Sequence, residues 1–163
     1  MPVVLHAGLL ALRTPSGWRG ALIQGPSGAG KSDLGLRCLD AGFRLVADDR
    51  VVVWASGGAL YGRAPGPLAG LIEVRGLGVL AHPALAFCRV VLDVCAGAPE
   101  RFPEPTHATY EGLSIPKIVL PLLESSAPAK LRRALQHLGA GAEGAYQSAG
   151  VAAEPPRPGG DTP

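Results

Sequence analysis

Gly25-Pro26-Ser27-Gly28-Ala29-Gly30-Lys31-Ser32 is the stretch that decides the fold. It fits G-x-x-x-x-G-K-[ST], a loop whose glycines let successive backbone N–H groups turn inward on a phosphate. Its flanks agree. Trp18–Gln24 is an apolar run that reads as a strand. Beyond the loop, Leu34, Cys38 and Leu39 recur at helical spacing until Gly42, so the pattern predicts a helix over Lys31–Ala41. A helix start adds partial positive charge where the loop ends. In this arrangement the Lys31 amine reaches the β- and γ-phosphates of a nucleotide, and the Ser32 hydroxyl takes a place on Mg²⁺. The backbone from Gly25 through Pro26, Ser27, Gly28, Ala29 and Gly30 forms the cradle.

Outward from the loop the chain alternates strands with few helices. Val3–Leu12 pairs with Trp18–Gln24 about the turn TPSG. Phe43–Ala47 is a short strand that ends in Asp48 and Asp49. Val51–Ala55 and Ala59–Arg63 flank SGG as a hairpin. Leu71–Val74 and Val90–Val94 are further strands, and the unbroken apolar run of the second predicts a central position. Ser114–Leu123 is extended, with Pro116 and Pro121 pushing it toward an edge or a strand end. Ser126 and Pro128 open a last helix with the stripe Leu131, Leu135, Leu138, and Gly139 beyond it. The expectation is one α/β domain over residues 1–138, a phosphate-loop fold with a mixed, strand-rich sheet. The Ala/Gly/Pro-rich segment 139–163 reads as a disordered tail.

Composition narrows the function class. The 163 residues are 47% hydrophobic and 17% charged, enough apolar matter for a core, and the net charge of +2 is too mild to signal nucleic acid or a membrane surface. No apolar run approaches the roughly 18 residues of a membrane helix. The start, MPVVLHAGLLALRTPSG, has no basic leading region and is interrupted by His6 and Arg13, which argues against a signal peptide. Cys38, Cys88 and Cys95 show no C-x-x-C spacing and read as buried thiols in a reducing cytoplasm.

Several acids and bases lie near the loop in sequence or pattern. Asp48 and Asp49 at a strand end can hold Mg²⁺ through water or accept a proton from an attacking hydroxyl, although D-D-R also suits a solvated turn. Side-chain alternation along a strand keeps the two from facing the phosphates together. Glu73 and Arg75 stand two apart, hence on one face. They fit a metal ligand and a phosphate contact, although composition alone favours a cross-strand ion pair. His6 alone among apolar residues reads as a packed histidine, and Arg101 in PERFPEP as a loop cation.

The combination resembles the catalytic domain of bacterial HPr kinase/phosphorylase. LHAGLLAL, GPSGAGKS, GFRLVADDRV, GLIEVRGLGVL and IPKIVLP carry the resemblance in that order, over residues 5–121. IEVRGLG after LVADDR is its most specific part. The resemblance implies a fold like that of phosphoenolpyruvate carboxykinase and an ATP- and Mg²⁺-dependent serine kinase acting on an HPr-like phosphocarrier protein. It implies Asp49 as proton acceptor for the serine, Asp48 as its neighbouring acid, Lys31 at the phosphates, Ser32 and Glu73 as magnesium ligands, and His6 and Arg101 as active-site residues. A homo-oligomer, hexameric in relatives, is also implied.

Two departures stand out. The chain resembles the shortened α-proteobacterial forms that lack the family's N-terminal domain and are linked to nitrogen-related phosphotransfer. The family's basic, Gly/Arg-containing loop after the PKI strand is here Pro121-Leu122-Leu123-Glu124-Ser125-Ser126. The kinase direction is therefore expected to dominate over removal of the phosphate by inorganic phosphate. Two other readings of the loop were a small-molecule kinase, against which the absence of an arginine-rich lid speaks, and an ATP-sensing partner with little catalysis.

Overall fold

The computed structural model describes residues 2–137. Leu138, Gly139 and the segment expected to be a disordered tail lie outside them.

The elements, in order, are β1 (Val3–Leu5), β2 (Gly8–Thr14), β3 (Gly17–Gln24), α1 (Lys31–Asp40), β4 (Arg44–Ala47), β5 (Val51–Ser56) and β6 (Ala59–Arg63). There follow β7 (Leu71–Val74), β8 (Gly78–Ala81), β9 (Cys88–Ala96), β10 (Thr106–Tyr110), β11 (Leu113–Leu120) and α2 (Ala127–His137). Nine strands form one sheet, with the path β1-β5-β6-β9-β3-β2-β4 and β10–β11 branching from β9. β7 and β8 form a separate hairpin. The sheet is mixed: β3 and β11 run parallel to β9, and the other pairs are antiparallel.

Side-chain alternation assigns the two faces. Leu10 and Leu12 on β2, Ala21 and Ile23 on β3, and Leu92 and Val94 on β9 join Leu34 and Cys38 of α1 and Leu131 and Leu135 of α2. Leu9, Ala11, Leu22, Val53, Leu60 and Val90 point the other way into a second cluster with Ile115. β9 is central as its apolar run predicts: β3 lies on one side, and β6 and β11 share the other.

Three local readings change. The run Val3–Leu12 is not one strand. The chain leaves β5, partner of β1, and joins β3 and β4 through β2, with the break at His6 and Ala7. The strand before the acid pair stops at Ala47, so Asp48 and Asp49 occupy a bend, and strand alternation does not apply to them. Arg75 likewise falls just past β7. β8 and β10 carried no clear signal: all of β8 is exposed, and β10 is short and largely exposed. Pro116 lies inside β11 opposite His107, and the ladder to β9 begins only at Lys117. Pro121 directly follows the strand, as its missing N–H favours.

Cys38, Cys88 and Cys95 are free thiols. Burial pushes Cys38 and Cys88 up to about 12, and Cys95 is half-buried.

Candidate active site

Register brings the polar residues together. β2 and β3 are antiparallel with Gly8 opposite Ile23, and β4 is antiparallel to β2 with Ala47 opposite Leu9. The start of β2 and the ends of β3 and β4 therefore share one sheet edge. Each is followed or preceded within two residues by a part of the site: His6 before β2, the loop from Gly25 after β3, Asp48 and Asp49 after β4. β7 reaches the same edge because Ile72 is buried in the cluster that holds Leu34 and Cys38. The result is a cleft of about 330 Å³ lined by the phosphate loop from Ser27 to Ser32, His6, Asp49, Glu73 and Arg75, with Leu36 and Leu123 at its rim.

The loop wall is held tightly. Gly30 caps α1 at φ 101, a left-handed conformation that glycine adopts without strain. A Cβ there would also sit 2.5 Å from Leu123 Cδ2, which an exposed leucine can yield, so the left-handed φ is what calls for glycine. Lys31 Nζ donates to the carbonyls of Gly25 at 2.6 Å and Pro26 at 3.1 Å. Ser32 Oγ donates to Asp48 Oδ1 at 2.9 Å, and the Glu73 backbone N–H donates to Asp48 Oδ2 at 2.9 Å. Asp48 thus ties α1 to β7.

The opposite wall is open to water. Asp49 has φ 70, unusual outside glycine and tolerated best by short polar residues such as aspartate. His6 Nε2 lies 2.8 Å from Asp49 Oδ1, with both side chains at least half exposed. Arg50 Nε stands 3.6 Å from Asp49 Oδ2. An ion pair this exposed adds about 0–1 kcal/mol of stability, so its geometry serves position more than folding.

The structure does not bring Arg101 to this cleft. Its guanidinium lies 5.3 Å over the Phe102 ring, and it lines a second cavity of about 840 Å³ with Lys117, Lys130 and Arg133. The segment after β11 depends on a residue that sequence reading passed over. Arg37 on α1 donates to the carbonyl of Leu122, to that of Glu124 at 3.0 Å, and to Asp33 Oδ2 at 2.9 Å. This clasp sets Leu123 over Gly30. Asp33 and Arg37 at helical i, i+4 spacing were a visible pair, but nothing in the sequence connected Arg37 to residues 122–124.

The donor set fits Mg²⁺. Ser32 and Glu73 line the cleft, Asp48 is bonded to Ser32, and all three side chains offer oxygen only, which suits a hard cation. Among the described residues no group of His, Cys, Asp and Glu forms a self-sufficient metal cage. Mg²⁺ is commonly held by one or two carboxylates together with substrate phosphates and water, so none is required.

Comparison with known proteins gives a consistent answer. Residues 6–86 match the family described as HPr Serine kinase C-terminal domain. HPr kinase/phosphorylase of Clostridium tetani is 45% identical over 75 residues, 46% of this chain and 25% of that protein. The Streptococcus pneumoniae protein of the same name is 36% identical over 118 residues, covering 63% of this chain and 38% of its own length. The chain therefore spans well under half of the curated relatives it matches. The solved Hpr(Ser) kinase/phosphatase of Coxiella burnetii superposes with a TM-score of 0.69 at 26% identity, over 80% of this chain and 92% of the other. It shares the mixed, strand-rich sheet with few helices. With a phosphate-loop α/β fold, a matching family segment across the cleft residues and these relatives, residues 6–86 belong to the HPr serine kinase C-terminal domain family.

Proposed function

We propose that this chain is an ATP- and Mg²⁺-dependent kinase that phosphorylates a serine of an HPr-like phosphocarrier protein of a phosphotransferase system in the cytoplasm. One observation carries the reading: Lys31 and Ser32 of the phosphate loop share a single cleft with the His6–Asp49 pair. Phosphoryl transfer asks a protein mainly for position and charge neutralisation. The loop amides and the Lys31 amine bind the phosphates. Mg²⁺, when bound through Ser32, Asp48 and Glu73, supplies further positive charge. Asp49 accepts the proton of the serine hydroxyl as the serine oxygen bonds to the γ-phosphorus and the bond to the β-phosphate oxygen breaks, releasing ADP. His6, in contact with Asp49 Oδ1, holds that carboxylate in its bend.

A protein acceptor is favoured over a small molecule by the surface around the cleft. Leu77 is 75% and Val79 64% exposed on the β7–β8 hairpin, and Leu36 and Leu123 are exposed at the rim. A small polar acceptor needs no apolar surroundings of this kind, whereas a protein surface does. Among the described residues no helix is long and apolar enough to cross a membrane. Incubation of the chain with MgATP and purified carrier should add one phosphoryl mass on serine, dependent on Lys31. No mass shift on any HPr-like protein of the source organism overturns the assignment.

A further inference from the structure

Bonded to Gln24, the residue before the phosphate loop, is a polar group that the proposed transfer does not use. Asp93 on β9 is only 2% exposed. Its Oδ1 accepts from Gln24 Nε2 at 2.5 Å and its Oδ2 from Tyr110 Oη at 3.1 Å. Gln24 Nε2 also donates to Tyr110 Oη at 2.6 Å. The three side chains close a ring in which both amide protons of Gln24 and the phenol proton are spent. Burial, followed by the Asp93 charge, pushes Tyr110 up to about 12, so it stays protonated and remains a donor. Lys117, the register partner of Asp93 on β11, is turned toward Cys95. A carboxylate this deep is tolerated only while hydrogen-bonded, which makes the ring costly to open.

The ring's position gives it meaning. Gln24 is the last residue of β3, and Gly25 opens the phosphate loop. Ala96, at the end of β9, occupies the space a side chain at position 25 would need, 2.7 Å from its Cβ. The Gly25 carbonyl then accepts Lys31 Nζ at 2.6 Å. One continuous path runs from Asp93 and Tyr110 through Gln24 and Gly25 to the phosphate-binding amine. β10, which supplies Tyr110, otherwise lies at the outer side of β11.

We infer that Gln24, Asp93 and Tyr110 are positioning residues that fix the root of the phosphate loop, so that Lys31 and the loop amides meet ATP already set. The inference rests on the nucleotide reading of the loop. Preorganisation of this sort acts on nucleotide binding and leaves the chemical step nearly untouched.

The test uses the full chain, with MgATP affinity by calorimetry, kcat and KM for carrier phosphorylation, and thermal unfolding. Tyr110→Phe keeps the ring's apolar body and removes one donor. It should raise both Kd and KM for ATP about fivefold, the scale of one hydrogen bond, with kcat within about twofold. Gln24→Glu and Asp93→Asn each break the ring's donor and acceptor balance and should weaken ATP at least about tenfold. Combining them restores one amide beside one carboxylate, and affinity should return to within about threefold of the parent. Folded variants that melt earlier yet bind ATP like the parent would show a purely structural ring and overturn the inference. So would a double variant no better than the worse single. If the parent chain fails to bind MgATP, or binds it equally with Lys31→Ala, the nucleotide reading itself falls and the inference with it.

Discussion

The two walls of the cleft are built differently. The loop wall rests on the core: Gly30 is packed under Leu123, Asp48 bridges Ser32 and Glu73, and the loop root meets a buried carboxylate. The opposite wall, His6 and Asp49, is at least half exposed and held by contacts that water competes for. Under the proposed function, rigidity sits where an extended polyanion is bound, and openness where an acceptor protein delivers a hydroxyl. Substitutions on the first wall should therefore disturb binding, and in places folding. Those on the second should disturb rate alone.

The largest effect separates the walls at once. Lys31→Ala removes the loop's only side-chain cation and should abolish detectable transfer while MgATP affinity falls sharply. Its thermal midpoint should stay near that of the parent, because among the described residues Lys31 bonds to the loop carbonyls of Gly25 and Pro26. Turnover like the parent's would remove the nucleotide assignment.

Asp49→Asn should lower kcat by about 10²–10⁴, the usual contribution of a positioned base, with MgATP affinity and melting unchanged. A comparable loss of affinity in this variant would break the contrast between the walls. Asp48→Asn is the mixed case. Its amide can still accept one of the two hydrogen bonds that Asp48 now receives, so about 1 kcal/mol of stability and a milder loss of rate are expected. If Asp48→Asn proves the more damaging of the two, the roles of the acids are reversed.

Legibility in the sequence follows the same division. The phosphate loop, α1, the hairpin at Gly57–Gly58 and central β9 were readable, because glycine placement and apolar periodicity are local signals. The break at His6 was not, because β1 and β2 are both apolar and only the change of pairing partner separates them. β8 and β10 exist through pairing alone, with no buried face strong enough to mark them. At the site, His6 was named through resemblance and Glu73 both by pattern and by resemblance; register brings His6 to the loop, and the burial of Ile72 beside α1 brings Glu73. Arg101 was named the same way and lies in another cavity. The Arg37 clasp reaches 85 and 87 residues along the chain, and the ring joins Gln24 to Asp93 and Tyr110, 69 and 86 residues on, contacts that no local pattern carries.

The smallest effect concerns the rim where the walls meet, and it sharpens the comparison. Reversal requires inorganic phosphate to attack phosphoserine, with protonated Asp49 giving its proton to the leaving serine oxygen. Two anionic groups must then approach each other, and without a cation nearby this costs several kcal/mol at an effective dielectric of about 20. The segment after β11 supplies none. Arg37, the guanidinium bonded to it, is committed to two carbonyls and Asp33, and Lys130 is paired with Glu124 at 3.0 Å. Phosphorolysis should accordingly be much slower than the kinase reaction at equal ATP and phosphate. Leu123 is 66% exposed at this rim, so Leu123→Arg places a cation there without emptying the core. Water screens such a charge to about 1 kcal/mol, which predicts roughly a fivefold gain in the reverse rate. The forward rate should stay within about twofold, since Leu123 meets the loop at Gly30 with an exposed side chain and Asp49 is untouched. Pyrophosphate released from phosphorylated carrier is the quantity to follow. A parent chain that already releases it as fast as it phosphorylates, or a variant with no gain, would show that direction is set elsewhere than at this rim.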